Sequence, residues 1–195
     1  MDLYVMSKDT VVAEYINNSL KILNKRLCPM YLLYNGDLTG WLETRAIDSH
    51  RANSRLLKKA LRLRERDDIS TVVFVNGATI TDNYWVKERD SNLKYDDVVF
   101  NKDYFSKLAL WGNYDSFNRA SKLKDKRTPE LTNTGSFEKC WKLRDGQWWM
   151  LKKANHSELF SELFVYELGV RLNFNMAEYK RGKCCIMTKD FTEGA

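Results

Sequence analysis

The 195-residue sequence predicts a mixed α+β protein made of two units and a pinned connection between them. Three observations carry this. Two apolar runs near the N-terminus flank a tight polar turn. A stretch from about 38 to 65 repeats its apolar residues at helical spacing. After residue 128 a strand, an Asp-Gly turn, a second strand and a capped helix follow in short order.

Taken in order, Leu3-Tyr-Val-Met6 and Val11-Val-Ala-Glu-Tyr-Ile16 read as strands around Ser7-Lys8-Asp9-Thr10. Residues 27–34 (LCPMYLLY) form a further apolar run, read as a strand or a buried loop and closed by the turn signal Asn35-Gly36-Asp37. Over 38–65, Trp41, Leu42, Ile47, Leu56, Leu57, Ala60, Leu61 and Leu63 recur three to four residues apart, opposite an Arg/Lys-rich face. Asp48-Ser49-His50 breaks this stretch into two helices, with Ser49, Asn53 or Ser54 as the cap. Thr71-Val-Val-Phe-Val75 reads as a short buried strand that ends at Asn76-Gly77. Residues 1–80 thus form a small N-terminal α+β unit. Residues 81–127 read as a connection anchored by Trp85, Tyr95, Phe100, Phe105, Leu108, Leu110 and Trp111, with a boundary at the charged run 122–127. From 128 to 195, Cys140–Arg144 and Gln147–Lys152 form a hairpin on Asp145-Gly146. Ser157 then caps a helix to about Arg171, and 176–180 and 183–189 are two more strands.

Composition narrows the class. Apolar residues are 44% and aromatics 13%, enough for a core of ordinary size and against wholesale disorder. No apolar run approaches the roughly 18 residues of a membrane helix, and no charged start precedes an apolar stretch, so the expectation is a cytoplasmic protein with no membrane partner. Cys28, Cys140, Cys184 and Cys185 form no CxxC pair, and His50 and His156 are the only histidines. That pattern argues against a zinc site and for free thiols.

The net charge is +6, and much of it is local. Between Trp41 and Arg66 stand Arg45, Arg51, Arg55, Lys58, Lys59, Arg62, Arg64 and Arg66 against Glu43, Asp48 and Glu65. A stretch like this is either a solvated helix face or a footprint for nucleic acid or a partner protein. The second option defines an alternative function, a small regulatory binding module using the basic 41–66 helix.

The chemistry-bearing arrangement lies in 132–170. A small polar loop, a strand, a two-residue turn, a strand ending in lysine and a helix carrying glutamates come in that order. This is the order of the small lobe of a protein kinase, in which the loop covers the ATP phosphates and a helix glutamate holds the strand lysine. Strand alternation puts Trp148, Met150 and Lys152 on one face and Trp149, Leu151 and Lys153 on the other. With Lys152 toward a nucleotide, Met150 would lie under the adenine, and the Trp149/Leu151 face would pack on the helix. Glu162 and Glu158 are one helical turn apart, so either could pair with Lys152. Gly135 is the one glycine of the loop, and phosphate contact would rest on the Gly135 and Ser136 amides. The plainer reading of the same residues is an exposed strand end and a solvated helix face.

The segment Thr128-Pro-Glu-Leu-Thr-Asn-Thr-Gly-Ser-Phe-Glu-Lys-Cys-Trp141 resembles the phosphate loop of the HipA-like serine/threonine kinases, above all a group found in Gram-positive bacteria and their mobile elements. Ser161-Glu162-Leu-Phe-Val-Tyr166, Asp82-Asn-Tyr-Trp-Val-Lys87, Leu93–Val99 and the Arg45–Leu63 stretch resemble further segments of that group in the same order. The resemblance implies that residues 128–195 are a kinase small-lobe-like antiparallel sheet with one helix. It implies ATP and magnesium as cofactors, Lys152 as the nucleotide lysine, Glu162 as its helix partner, and Gly135 and Ser136 in the phosphate loop. In the classical toxin of that family the loop holds a serine that is itself phosphorylated, and Ser136 is the only serine in this loop; Glu138 stands where relatives often have proline. The catalytic and metal-binding aspartates belong to a larger C-terminal lobe. The chain runs only 43 residues beyond Lys152, and Asp190-Phe191-Thr192 falls too early to serve. The expectation is therefore the N-terminal portion of such a kinase, inactive alone, whose partner is the missing large lobe in cis or in trans. Toxin–antitoxin systems and mobile elements are the implied setting.

Overall fold

The computed structural model describes residues 2–63 and 67–192 and has an α+β architecture with two four-stranded antiparallel sheets. In the first sheet, β1 (Leu3–Ser7), β2 (Thr10–Ile16), β3 (Ser19–Ile22) and β4 (Tyr84–Glu88) lie in the order β3-β2-β1-β4. The Ser7–Thr10 turn places Lys8 at φ 49° and pairs Ser7 directly with Thr10.

Between β3 and β4 the chain is helical. Here two expectations fail. Residues 27–29 are loop, but the rest of the run is neither strand nor loop; Met30–Asn35 is helix α1, entered at Pro29 and stopped by Gly36 at φ 63°. Proline before the first turn and glycine just after the last are helix punctuation. Likewise Thr71–Val75 is not a strand but lies in and just after α4 (Asp68–Val73), nucleated by Asp67, whose side chain accepts from Ser70 N. A short apolar run looks the same whether it will be a buried strand or one face of a short helix. The 38–65 stretch does divide, into α2 (Leu38–Thr44) and α3 (Ser54–Ala60). Asp37 caps α2 through Gly40 N at 3.0 Å, and Asn53 occupies the cap position of α3.

The connection holds more structure than its polar sequence suggests. Its Tyr84–Glu88 segment is β4, paired with β1 from Leu3↔Glu88 to Ser7↔Tyr84, so the N-terminal unit runs past residue 80. Next come α5 (Tyr95–Val98), α6 (Ser106–Trp111) and α7 (Tyr114–Lys122). The charged run at 122–127 is tied down rather than free. Lys126 Nζ donates to the carbonyls of Ala60, Ala120 and Ser121, neutralising the C-terminal ends of α3 and α7. Arg127 donates to the carbonyls of Asp97 and Val98.

A 3-10 turn at Pro129–Thr132 leads into the second sheet: β5 (Lys139–Arg144), β6 (Gln147–Lys153), β7 (Tyr179–Arg181) and β8 (Cys185–Lys189), ordered β5-β6-β8-β7. The β5–β6 turn places both Asp145 (φ 50°) and Gly146 (φ 75°) in the left-handed region, as a two-residue hairpin of this twist requires. The helix α8 (His156–Arg171) is capped two residues before the expected cap. Asn155 and Glu158 form a reciprocal capping box, and Ser157 falls inside the first turn.

One core cluster bridges the two sheets. Met6 and Trp85 of the first unit, Leu57 of α3, Leu131 and the β5 residue Trp141 are buried together, with Trp148 and Met150 against them. On the opposite face of the second sheet, Cys140, Trp149, Leu151, Cys185 and Met187 pack with Ala109 and Leu110 of α6. The Trp149/Leu151 face is thus covered by α6, not by α8. α8 lies along β7 and β8, with Tyr166 5.7 Å from Tyr179 between ring centroids. No helix among the described residues is long and apolar enough to cross a membrane.

Candidate functional site

The site grows from the β5–β6 hairpin. Its two-residue turn pairs Arg144 with Gln147 and, five residues further along each strand, Lys139 with Lys152. The two lysines therefore stand side by side at the open end of the hairpin, where residues 134–138 arch over from the 3-10 turn. Lys152 Nζ meets Glu162 Oε1 of α8 at 3.3 Å, with the two side chains 30% and 34% exposed. Glu158, the other candidate partner, is engaged elsewhere: its carboxylate accepts from Asn155 N at 2.8 Å. The pairing left open by spacing is thus settled on Glu162.

The loop closes over this pair. Phe137 lies with its ring centroid 4.7 Å from Lys152 Nζ, a cation–π contact, although the side chain is itself largely exposed. Gly135 has φ 94°, and a Cβ there would stand 2.7 Å from Lys139 Nζ. The backbone angle favours glycine, while a Cβ would only push aside the flexible end of Lys139. Burial, with Arg51 and Lys152 nearby, lowers the pKa of Lys139 from the usual lysine range. Thr134, Gly135 and Ser136 are exposed. The result is a shallow electropositive corner: two ammonium groups, one carboxylate and a turn of free backbone N–H groups. Such a corner can hold an anionic group.

Of the residues predicted from sequence, Gly135, Ser136, Lys152 and Glu162 come together here. Met150 shares the Lys152 face, but it is half-buried against the shared core, and its Sδ is 3.8 Å from Asn133 Nδ2. Little of it is left open to lie under a ring. Asp190 is at the other end of β6, where its N–H donates to Trp148 O and its carboxylate accepts from Thr192.

The 41–66 stretch is not a continuous basic face. Arg45 is buried, bidentate to Asp82 at 2.9 and 2.8 Å, and stacked on Trp41. Arg51 is 2% exposed. Lys58 pairs with Asp68 at 3.2 Å. Arg55, Lys59 and Arg62 remain on the surface, and Arg64, Glu65 and Arg66 lie outside the described residues.

Sequence reasoning missed four members of the site's surroundings. Lys139 was recoverable, because a two-residue turn at 145–146 dictates its opposition to Lys152. Phe137, Arg51 and Glu130 were not. Glu130, within the TPEL segment, is fully buried; its carboxylate accepts from Trp141 N at 2.8 Å and Asn133 Nδ2 at 3.1 Å. Burial pushes its pKa up to about 7, against the pull of these bonds and of Arg51. No group of three or more His, Cys, Asp or Glu among the described residues is arranged to hold a metal. Protein-family models, curated proteins and solved structures were all compared with this chain, and none matches.

Proposed function

We propose that this chain is the nucleotide-binding portion of a HipA-like protein kinase. In this reading Lys152 contacts the α- and β-phosphates of ATP, Glu162 holds the lysine extended, and the Gly135 and Ser136 amides cover the phosphates. The observation that carries the reading is the 3.3 Å Lys152–Glu162 pair beneath an exposed glycine-containing loop, because that combination positions a cation for phosphate rather than for core stability. The residues present suit the phosphates but not magnesium, for which the described residues offer no carboxylate cluster. A larger lobe, in cis or in trans, would supply the metal ligands and the catalytic aspartate, and the chain alone transfers no phosphoryl group. The outward face of α8 gives such a lobe a surface to cover: Phe160 and Phe164 are stacked at 5.7 Å, and Val165 and Leu168 are exposed beside them.

The test is a titration of isotope-labelled protein with Mg-ATP, followed by amide NMR. Shifts should centre on Gly135, Ser136 and Lys152, saturate at about millimolar nucleotide, and vanish in Lys152→Met. Shifts elsewhere, none at all, or ATP turnover by the chain alone would overturn the reading.

A further inference from the structure

The loop 134–138 has little of its own to hold it. Thr134 to Phe137 are exposed, and the flanking residues Asn133 and Lys139 enter different elements. Yet both ends of the loop are gripped by one side chain from far away in sequence. Arg51 Nη1 donates to Asn133 O at 2.7 Å, and Arg51 Nη2 donates to Lys139 O at 2.6 Å. The guanidinium spans the neck of the loop like a staple, one arm on each stem. Two residues on, Asn53 N donates to the Glu138 carboxylate at 3.1 Å, and Asn53 Nδ2 fixes itself to Ala109 O at 3.0 Å.

A buried arginine normally sits against a carboxylate, because a desolvated charge is costly without one. Here the two arms go to carbonyls instead, and Glu130 and Glu138 supply charge from nearby. A guanidinium suits this because its planar fork presents donors on two nitrogens at fixed separation, one for each stem, whereas an ammonium must bring its single nitrogen within reach of both carbonyls. Glu130 completes the arrangement from the other side by binding Asn133 Nδ2 and Trp141 N, so the stem residues are held on backbone and side chain alike.

We infer that Arg51 is a positioning residue for the phosphate loop, through which the N-terminal unit sets the shape of the anion-binding corner. The inference rests on the nucleotide reading only for what the loop binds. It also turns a residue that reads as surface charge into an internal strut.

The experiment compares wild type with Arg51→Lys, which keeps the charge and loses the fork. Two readouts are followed: chymotrypsin cleavage after Phe137, located by mass spectrometry, and Mg-ATP affinity by amide NMR. Phe191 is 72% exposed and remote from the staple, so cleavage there is the internal control. Cleavage at Phe137 should rise about tenfold in Arg51→Lys with Phe191 unchanged, and ATP binding should weaken by a similar factor. If Arg51→Lys fails to fold, Glu138→Ala leaves the Arg51 fork in place while removing the Asn53 tie and one of the charges near Arg51, and should raise Phe137 cleavage by about two- to fivefold. A rise at Phe137 in a protein whose wild type shows no ATP shifts sinks the nucleotide reading and leaves the staple standing. Unchanged cleavage and affinity overturn the staple, as does cleavage rising at every site in step, which would make Arg51 a residue of general stability only.

Discussion

Residues 128–133 and 134–138 are neighbours in sequence and opposites in structure. In the first half Thr128, Pro129, Glu130, Leu131, Thr132 and Asn133 are all buried. Leu131 sits at the centre of the core that joins the two sheets, and its carbonyl accepts from Ile47 N at 2.8 Å. Thr132 Oγ1 donates to Ala78 O at 2.6 Å. In the second half Thr134 to Phe137 face solvent, and only the neck is fixed. The difference separates two duties inside one sequence segment. Six residues lock the second unit onto the first; the next few are left free to meet a ligand. A surface loop tolerates this because its base is buried and its stem carbonyls are hydrogen-bonded rather than because the loop is rigid.

The sharpest way to break the comparison is to truncate one residue in each half. Leu131→Ala removes a fully buried side chain from the shared core and should cost about 2–5 kcal/mol, read from urea unfolding. Thr134→Ala, three residues on, should change stability by less than about 0.5 kcal/mol. Comparable losses at both positions would mean that the loop is part of the structural seam.

Next in size is the pH response of the locked half. Glu130 has its pKa raised from 4.5 to about 7 by burial. An acid with a raised folded-state pKa favours the folded protein at low pH. Its contribution is complete below about 4.5, and is lost as the unfolded chain ionises while the folded one resists, up to about pH 7. The loss over that window is about 3 kcal/mol. Glu130→Gln should remove this dependence, so that wild type and variant diverge below pH 6 and converge near 7 after allowance for a constant offset. A constant difference across the range would show that the fold leaves the pKa of Glu130 unshifted.

The division itself was not read from sequence, which took 128–141 as one loop segment; much of the surrounding fold was, and the limits of that reading are physical. The hairpin at Asp145-Gly146, the strands around Lys8-Asp9 and the helix after Asn155 rest on contacts within a few residues, so local pattern suffices. β4 escaped because its partner β1 lies some eighty residues away, and a five-residue run carries little period of its own. Lys152 was legible as the strand-end lysine, and spacing brought both Glu158 and Glu162 within its reach; the capping bond of Glu158 to Asn155 N is what separates them. Arg51 and Glu130 were not legible, because a charged side chain is taken for surface until its buried partners, carbonyls and amides from distant segments, are known.

The free half can be sharpened through Lys152 itself. A double-mutant cycle of Lys152→Met and Glu162→Gln should give a coupling of no more than about 1 kcal/mol in stability, since both side chains are about a third exposed and solvent screens the pair. The same two substitutions should each abolish the ATP-induced shifts. Coupling well beyond that size would mark the pair as structural, and place it with the locked half.

The smallest effect is the most discriminating. Phe137 covers Lys152 in the ligand-free protein, and a cation–π contact at an exposed site is worth about 0.5–1 kcal/mol. Phe137→Leu keeps an apolar side chain and removes the ring's attraction for the ammonium. Stability should fall by no more than that amount, which is close to the limit of detection. Affinity is the better measure. If the ring competes with phosphate for Lys152, releasing it should strengthen Mg-ATP binding by about two- to fivefold, the same free energy returned as affinity. Weaker binding in Phe137→Leu would mean that the ring closes over the bound nucleotide, and that the exposed half of the segment is shaped for its ligand rather than merely held out of the core.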